Sequence, residues 1–177
     1  MRPSLLRAIF TILLYAASLA TAHGFELKTR YTTIVYKSEN LLRKFNKEVS
    51  LGSLAYIMRD TRSITAEDEV KNKVDVIIEK VESVLEMFPR NLRFTVMLLP
   101  GEKDVQKVYR EKYRAEVDYI AFYSPRDETV YVSVDDIRRG VLAHELAHVV
   151  VDHYYGVPTP VRIHEILARF AESHLED

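Results

Sequence analysis

The sequence predicts an α+β domain in which a mixed β-sheet packs on a helix that carries two histidines. Three observations predict it. Short runs rich in Thr, Tyr, Ile and Val alternate along the chain with longer segments whose apolar residues recur every three or four positions. From Val141 to Val150 (VLAHELAHVV) the one acid is Glu145 and no Lys or Arg occurs, and a helix apolar on nearly all sides must be buried. The order of these elements sets a sheet on one side, with the histidine helix beneath it.

Length and composition bound the answer. A chain of 177 residues, 47% hydrophobic and 29% charged, suits one domain with its own core. The formal charge is -1 with no sustained basic stripe, which argues against nucleic acid as a partner. There is no cysteine, so a disulfide frame and a thiolate metal site are excluded. Residues 1–22 have the layout of a secretory signal peptide: Arg2 and Arg7, an apolar run from Ala8 to Ala20, then Ala20-Thr21-Ala22. That run is shorter than the ~20 residues of a spanning helix. The expectation is a leader over 1–22 and a single domain over 23–177, exported to the periplasm or secreted, with no stable membrane span after cleavage.

Residues 26–36 (ELKTRYTTIVY) predict a strand, and Leu41, Leu42, Phe45 and Val49 predict a helix over 38–50. The stretch around Gly52 up to Arg62 leans towards helix. Thr65 followed by Asp68 reads as a helix start. Val70, Val74, Ile77, Val81, Leu85 and Phe88 then form one stripe of a long helix that Pro89 ends. Phe94, Val96 and Leu98 alternate with Thr95 and Met97 in a second strand that stops at Pro100-Gly101. A short helix follows around Asp104 to Tyr113. Two further strands, Tyr119 to Tyr123 and Thr129 to Val134, flank Ser124-Pro125-Arg126-Asp127, which predicts a hairpin. Ser133 and Asp136 are expected to open the histidine helix. Gly156, Pro158 and Pro160 break it, and Thr159-Pro160 can start the last helix.

The chemistry concentrates in His144-Glu145-Leu146-Ala147-His148. Residues four apart on a helix point the same way, with Cβ atoms about 5–6 Å apart, so His144 and His148 can reach one zinc ion. Glu145 lies about 100° further round, poorly placed as a ligand but well placed to take a proton from zinc-bound water and deliver it to a leaving amine. Burying two histidines and a glutamate is costly unless something pairs them, and zinc would do that. A third ligand from the same helix is disfavoured, because Asp152 continues along the axis and His153 points about 100° away. Glu165 and Glu172 share one face of the next helix, leaving both in view, with an outer acceptor for a histidine N–H as the second role. Tyr155 lies on the ligand face about two turns beyond His148 and is the candidate oxyanion partner, with His153, Tyr154 and His174 as rivals.

These residues resemble a known family. VLAHELAHVV resembles the extended zincin signature, and PVRIHEILARFAE resembles the second half of the gluzincin motif, as in peptidase MA-like proteins. Glu165 and Ala168 fall on that pattern, while Ile166 stands where glycine is usual. The resemblance implies a zincin-like fold and a metal set of His144, His148 and Glu165, with zinc as cofactor. YIAFYSPRDETVYVSV is similar to the edge and return strands of thermolysin-like sheets, which implies that Ala121, Phe122 and Tyr123 line a substrate cleft by β-augmentation. The metzincin pattern fits less well, since Val151 and Tyr154 occupy the positions of its glycine and third histidine. The expectation is therefore an exported zinc endopeptidase of the gluzincin type, with Glu145 as general base and a peptide or protein as substrate. The competing expectation is a non-catalytic, metal-stabilised binding module. Larger gluzincins have a further domain as the far wall of the cleft, so a partner protein completing the cleft stays open here.

Overall fold

A computed structural model describes residues 24–58 and 65–175. The expected leader falls outside these residues. Within them, two short strands, β1 (Phe25–Lys28) and β2 (Thr32–Tyr36), replace the one strand expected over 26–36. The break has a local cause: the Thr29 backbone N–H bonds the Thr32 carbonyl at 2.8 Å, and the Thr29 hydroxyl accepts from the N–H groups of Tyr31 and Thr32. These bonds close a turn that folds the two halves antiparallel.

Helix α1 (Glu39–Glu48) is capped by Ser38, whose side chain accepts from the Leu41 N–H. A 3-10 helix spans Gly52–Met58, and the remainder of the stretch expected to be helical lies outside the described residues. Helix α2 (Ala66–Leu85) starts as expected, with Thr65 accepting from the Asp68 N–H. It ends before Pro89: Glu86 adopts a left-handed conformation (φ 54°), and the Met87 N–H turns back to the Glu82 carbonyl. Strand β3 (Phe94–Leu99) and helix α3 (Glu102–Tyr113) follow, then the hairpin strands β4 (Ala121–Ser124) and β5 (Thr129–Ser133). Helix α4 (Arg139–Tyr155) carries the histidines and α5 (Val161–Leu175) carries Glu165. Ser133 and Asp136 do not open α4. Ser133 closes β5 and its hydroxyl bonds Asp136 in the connecting turn, while the helix begins beyond Arg138.

The sheet runs β1-β2-β3-β5-β4 and is mixed: the two central pairings are parallel, and both outer ones are antiparallel. Alternation along each strand sorts side chains between two layers. Ile34, Phe94, Val96, Leu98, Val130 and Val132 face the main core, which α1, α2, α4 and α5 fill from one side. Leu99, Phe122 and Tyr131 face the other way, against Val105 and the tyrosines of α3. The architecture is the expected α+β sheet with the histidine helix packed against one face. Leu142, Leu146, Val149 and Val150 bury α4 almost completely, which fixes its rotation and hence the direction of its histidines. No helix of the described residues is long and apolar enough to cross a membrane.

Candidate functional site

Three local features bring α4 and α5 together. Gly156 takes a left-handed conformation (φ 63°), which a side chain would strain, and its N–H bonds the Asp152 carbonyl to close α4. Pro158 and Pro160 then turn the chain, and the Pro160 carbonyl accepts from the Ile163 N–H at 2.8 Å, so Pro160 caps α5 just ahead of its first turn. On α5, Ala168, Ala171 and Leu175 are buried against the core. That packing turns Glu165 and Glu172 towards α4.

His144, His148 and Glu165 meet there, each half-buried, with one ligand atom apiece within 4.8 Å of the others. Glu165 Oε2 lies 3.8 Å from His144 Nε2, and its Oε1 lies 3.6 Å from His148 Nε2. These distances are too long for hydrogen bonds. They are close to the separation of about 3.3 Å that a tetrahedral ion with bonds near 2.0–2.1 Å imposes on its ligands. Two imidazole nitrogens and a carboxylate oxygen also make a donor set suited to a divalent transition metal. Glu172 completes the arrangement from behind, with Oε2 2.8 Å from His144 Nδ1. That contact fixes the ring's direction and leaves Nε2 on the Glu165 side. Of the two carboxylates that the sequence leaves in view, Glu165 joins the histidine cluster and Glu172 lies against the far nitrogen of His144.

Glu145 is buried at the base of the cleft. Burial pushes its carboxyl up to about 8; the Tyr123 backbone N–H that hydrogen-bonds it works against the shift, and the charges of Glu165 and Glu172 add to it. Burial pulls the His148 ring down to about 3, helped by His144 and His164. His148 is therefore neutral, the form in which imidazole binds a metal.

The site opens into a cleft of about 720 Å³ that crosses the edge strand β4. Ala121, Phe122 and Tyr123 line it, and so do Tyr109, Tyr113 and Tyr119 from the α3 side. The Ser133 N–H bonds the Ile120 carbonyl, and the register places Phe122 and Ser124 at the next inward-bonded positions. Ala121 and Tyr123 accordingly turn their main-chain groups away from β5, and one of them, the Tyr123 N–H, holds Glu145.

Tyr155 stands apart from this group. It is the last residue of α4, 45% exposed, packs edge-on against Tyr154, and is not among the residues that line the cleft. The rivals fare no differently: Tyr154 and His174 are exposed, and the His153 ring is engaged with the Val149 carbonyl. Sequence reasoning missed His164, which lines the cleft with its ring 5.7 Å from that of His148. A signal existed, since His164 is adjacent to Glu165 and one turn before Ala168. It also missed the bond from the Tyr123 hydroxyl to Asp152 Oδ2 (3.0 Å), which joins β4 to α4 across the cleft. Comparisons with protein-family models, curated proteins and solved structures returned no match.

Proposed function

We propose that this chain is a zinc metallopeptidase of the gluzincin type. The observation that carries the reading is the convergence of His144, His148 and Glu165 beside a buried Glu145, beneath a sheet edge with outward main-chain groups. His144, His148 and Glu165 would hold the ion, which when bound would polarise the scissile carbonyl and acidify the attacking water. The chain's own part is positioning and proton transfer. An extended peptide lies along β4, pairing with the outward main-chain groups of Ala121 and the outward carbonyl of Tyr123, whose N–H is held by Glu145. Glu145 receives the proton of the attacking water and passes it to the departing amine nitrogen, a transfer for which a carboxyl made more basic by burial is suited. Glu172 keeps the His144 ring aligned. Export through the 1–22 leader belongs to the same proposal.

One observation favours the second reading, a binding module that keeps the metal for stability. Of the eleven large apolar side chains exposed among the described residues, seven lie between Tyr154 and Phe170, including Ile163, Ile166 and Phe170 on the outer face of α5. Such a concentration marks a contact surface, and a partner protein seated there would complete the cleft. The deciding experiment measures metal content of the purified protein and hydrolysis of a peptide library with and without chelator. Bound zinc with chelator-sensitive cleavage supports the peptidase, and bound zinc with no cleavage of any peptide supports the module.

A further inference from the structure

The cleft holds one charge that neither the metal set nor the proton transfer uses. Its lining carries three carboxylates, Glu145, Asp152 and Glu165, and no Lys or Arg. Glu165 belongs to the proposed ligand set, and Glu145 to the proposed proton transfer. Asp152 is left over. It lies one turn beyond His148, outside the ligand set, and among the described residues it forms no ion pair with a Lys or Arg. Its one side-chain partner is the Tyr123 hydroxyl. Burial, reinforced by the Asp152 charge, raises the Tyr123 phenol well above its ordinary range, so that partner stays neutral. A half-buried carboxylate with a neutral partner, facing an open cleft, favours a cation from outside.

The sheet geometry says where that cation would come from. In antiparallel pairing, directly opposed residues point to the same face, and successive residues alternate. A peptide residue set opposite Tyr123 on the free edge therefore aims its side chain to the α4 side, where Asp152 stands. The residues before and after it aim to the α3 side, where Tyr109, Tyr113 and Tyr119 form an aromatic wall. The apolar stem of a Lys or Arg suits the Tyr123 ring, and its charged head suits Asp152.

We infer that Asp152 and Tyr123 form a subsite for a cationic side chain, so that this cleft selects peptides carrying arginine or lysine flanked by apolar or aromatic residues. The inference rests on the peptide-cleft reading above, but not on turnover. Its test uses the full metal-loaded chain carrying Glu145→Gln, so that binding is read without cleavage. Fluorescent octapeptides that differ at one central residue (arginine, lysine, norleucine or glutamate) are titrated by anisotropy, at low and at physiological salt. The arginine peptide is expected to bind about tenfold tighter than the norleucine peptide, with glutamate weakest. Adding Asp152→Asn, which keeps an acceptor for Tyr123, should abolish that advantage while leaving metal content and norleucine binding unchanged. Tyr123→Phe, which keeps the carboxylate, should retain a preference for the cationic peptides. Equal binding of all four peptides by a metal-loaded protein, or an arginine preference that survives Asp152→Asn, overturns the subsite and leaves the peptidase reading standing. Binding of none of the peptides overturns both.

Discussion

Replacing Glu172 with alanine tests whether the carboxylate behind His144 serves the metal or merely ends a helix. The side chain lies 2.8 Å from His144 Nδ1 and is 29% exposed, so the contact is a charge-assisted hydrogen bond partly screened by water. Loss of such an outer partner costs about 10–100-fold in metal affinity. Exposure places this case at the lower end, near tenfold, or about 1.4 kcal/mol. The assay is a zinc competition titration against a chromophoric chelator, run on the parent, Glu172→Ala and Glu172→Gln. The glutamine can still accept the Nδ1 proton, so it should fall between the other two. An alanine variant that binds zinc as tightly as the parent would refute the reasoning. So would a variant that loses zinc entirely while Glu165→Ala retains it, because the roles of the two carboxylates would then be exchanged.

Other expectations follow from the same geometry. Glu165→Ala removes a proposed ligand and should abolish stoichiometric zinc, read by metal analysis after dialysis. Glu145→Gln should keep zinc and slow peptide hydrolysis by roughly 10²-fold or more in a steady-state assay. The metal-free protein should show a pH signature of Glu145: its folded carboxyl titrates near 8 against an ordinary 4.5, so the folded state holds a proton that the unfolded state has released. Stability should fall as pH rises across that window, by on the order of a few kcal/mol, and level off above it. Urea midpoints in chelator at pH 5 and pH 8 should show the fall in the parent and its absence in Glu145→Gln. Leu146 is fully buried beneath the site, and Leu146→Ala should cost about 2–5 kcal/mol in urea unfolding.

Much of the site was legible because it obeys local periodicity. His144 and His148 share a helix face by their spacing alone, and the apolar residues between them force that helix into the core. Gly156, Pro158 and Pro160 announced the turn that returns α5, and the spacing of Glu165 and Glu172 placed both on its inner face. What escaped depends on contacts between distant segments. The bond between Tyr123 and Asp152 spans 29 positions, and no pattern on either strand or helix encodes it. Tyr155 illustrates the opposite failure. An ideal helix places it near the ligand face, but it is the final residue of α4, where the chain leaves the core, and it is exposed and not among the residues that line the cleft. The β1–β2 turn was hidden by strand-forming residues on both sides, because Thr29 closes it through its hydroxyl rather than through a glycine or proline.

Arg139, the first residue of α4, is buried, and its guanidinium group reaches the Leu175 carbonyl at the end of α5 and the Leu51 carbonyl ahead of the 3-10 helix. The two helices are thus fastened at both extremities, by the turn at Gly156 to Pro160 on one side and by this cationic bracket on the other. A strip of chain tied at both ends has few ways to open partially. His144, His148, Glu165 and Glu172 should therefore exchange amide protons with solvent as one cooperative block, whether or not an ion is bound. If His144, His148 and Glu165 hold an ion as proposed, a coordination sphere on such a frame would have met most of its ordering entropy during folding, and capture of the ion would be a fast encounter rather than a rearrangement.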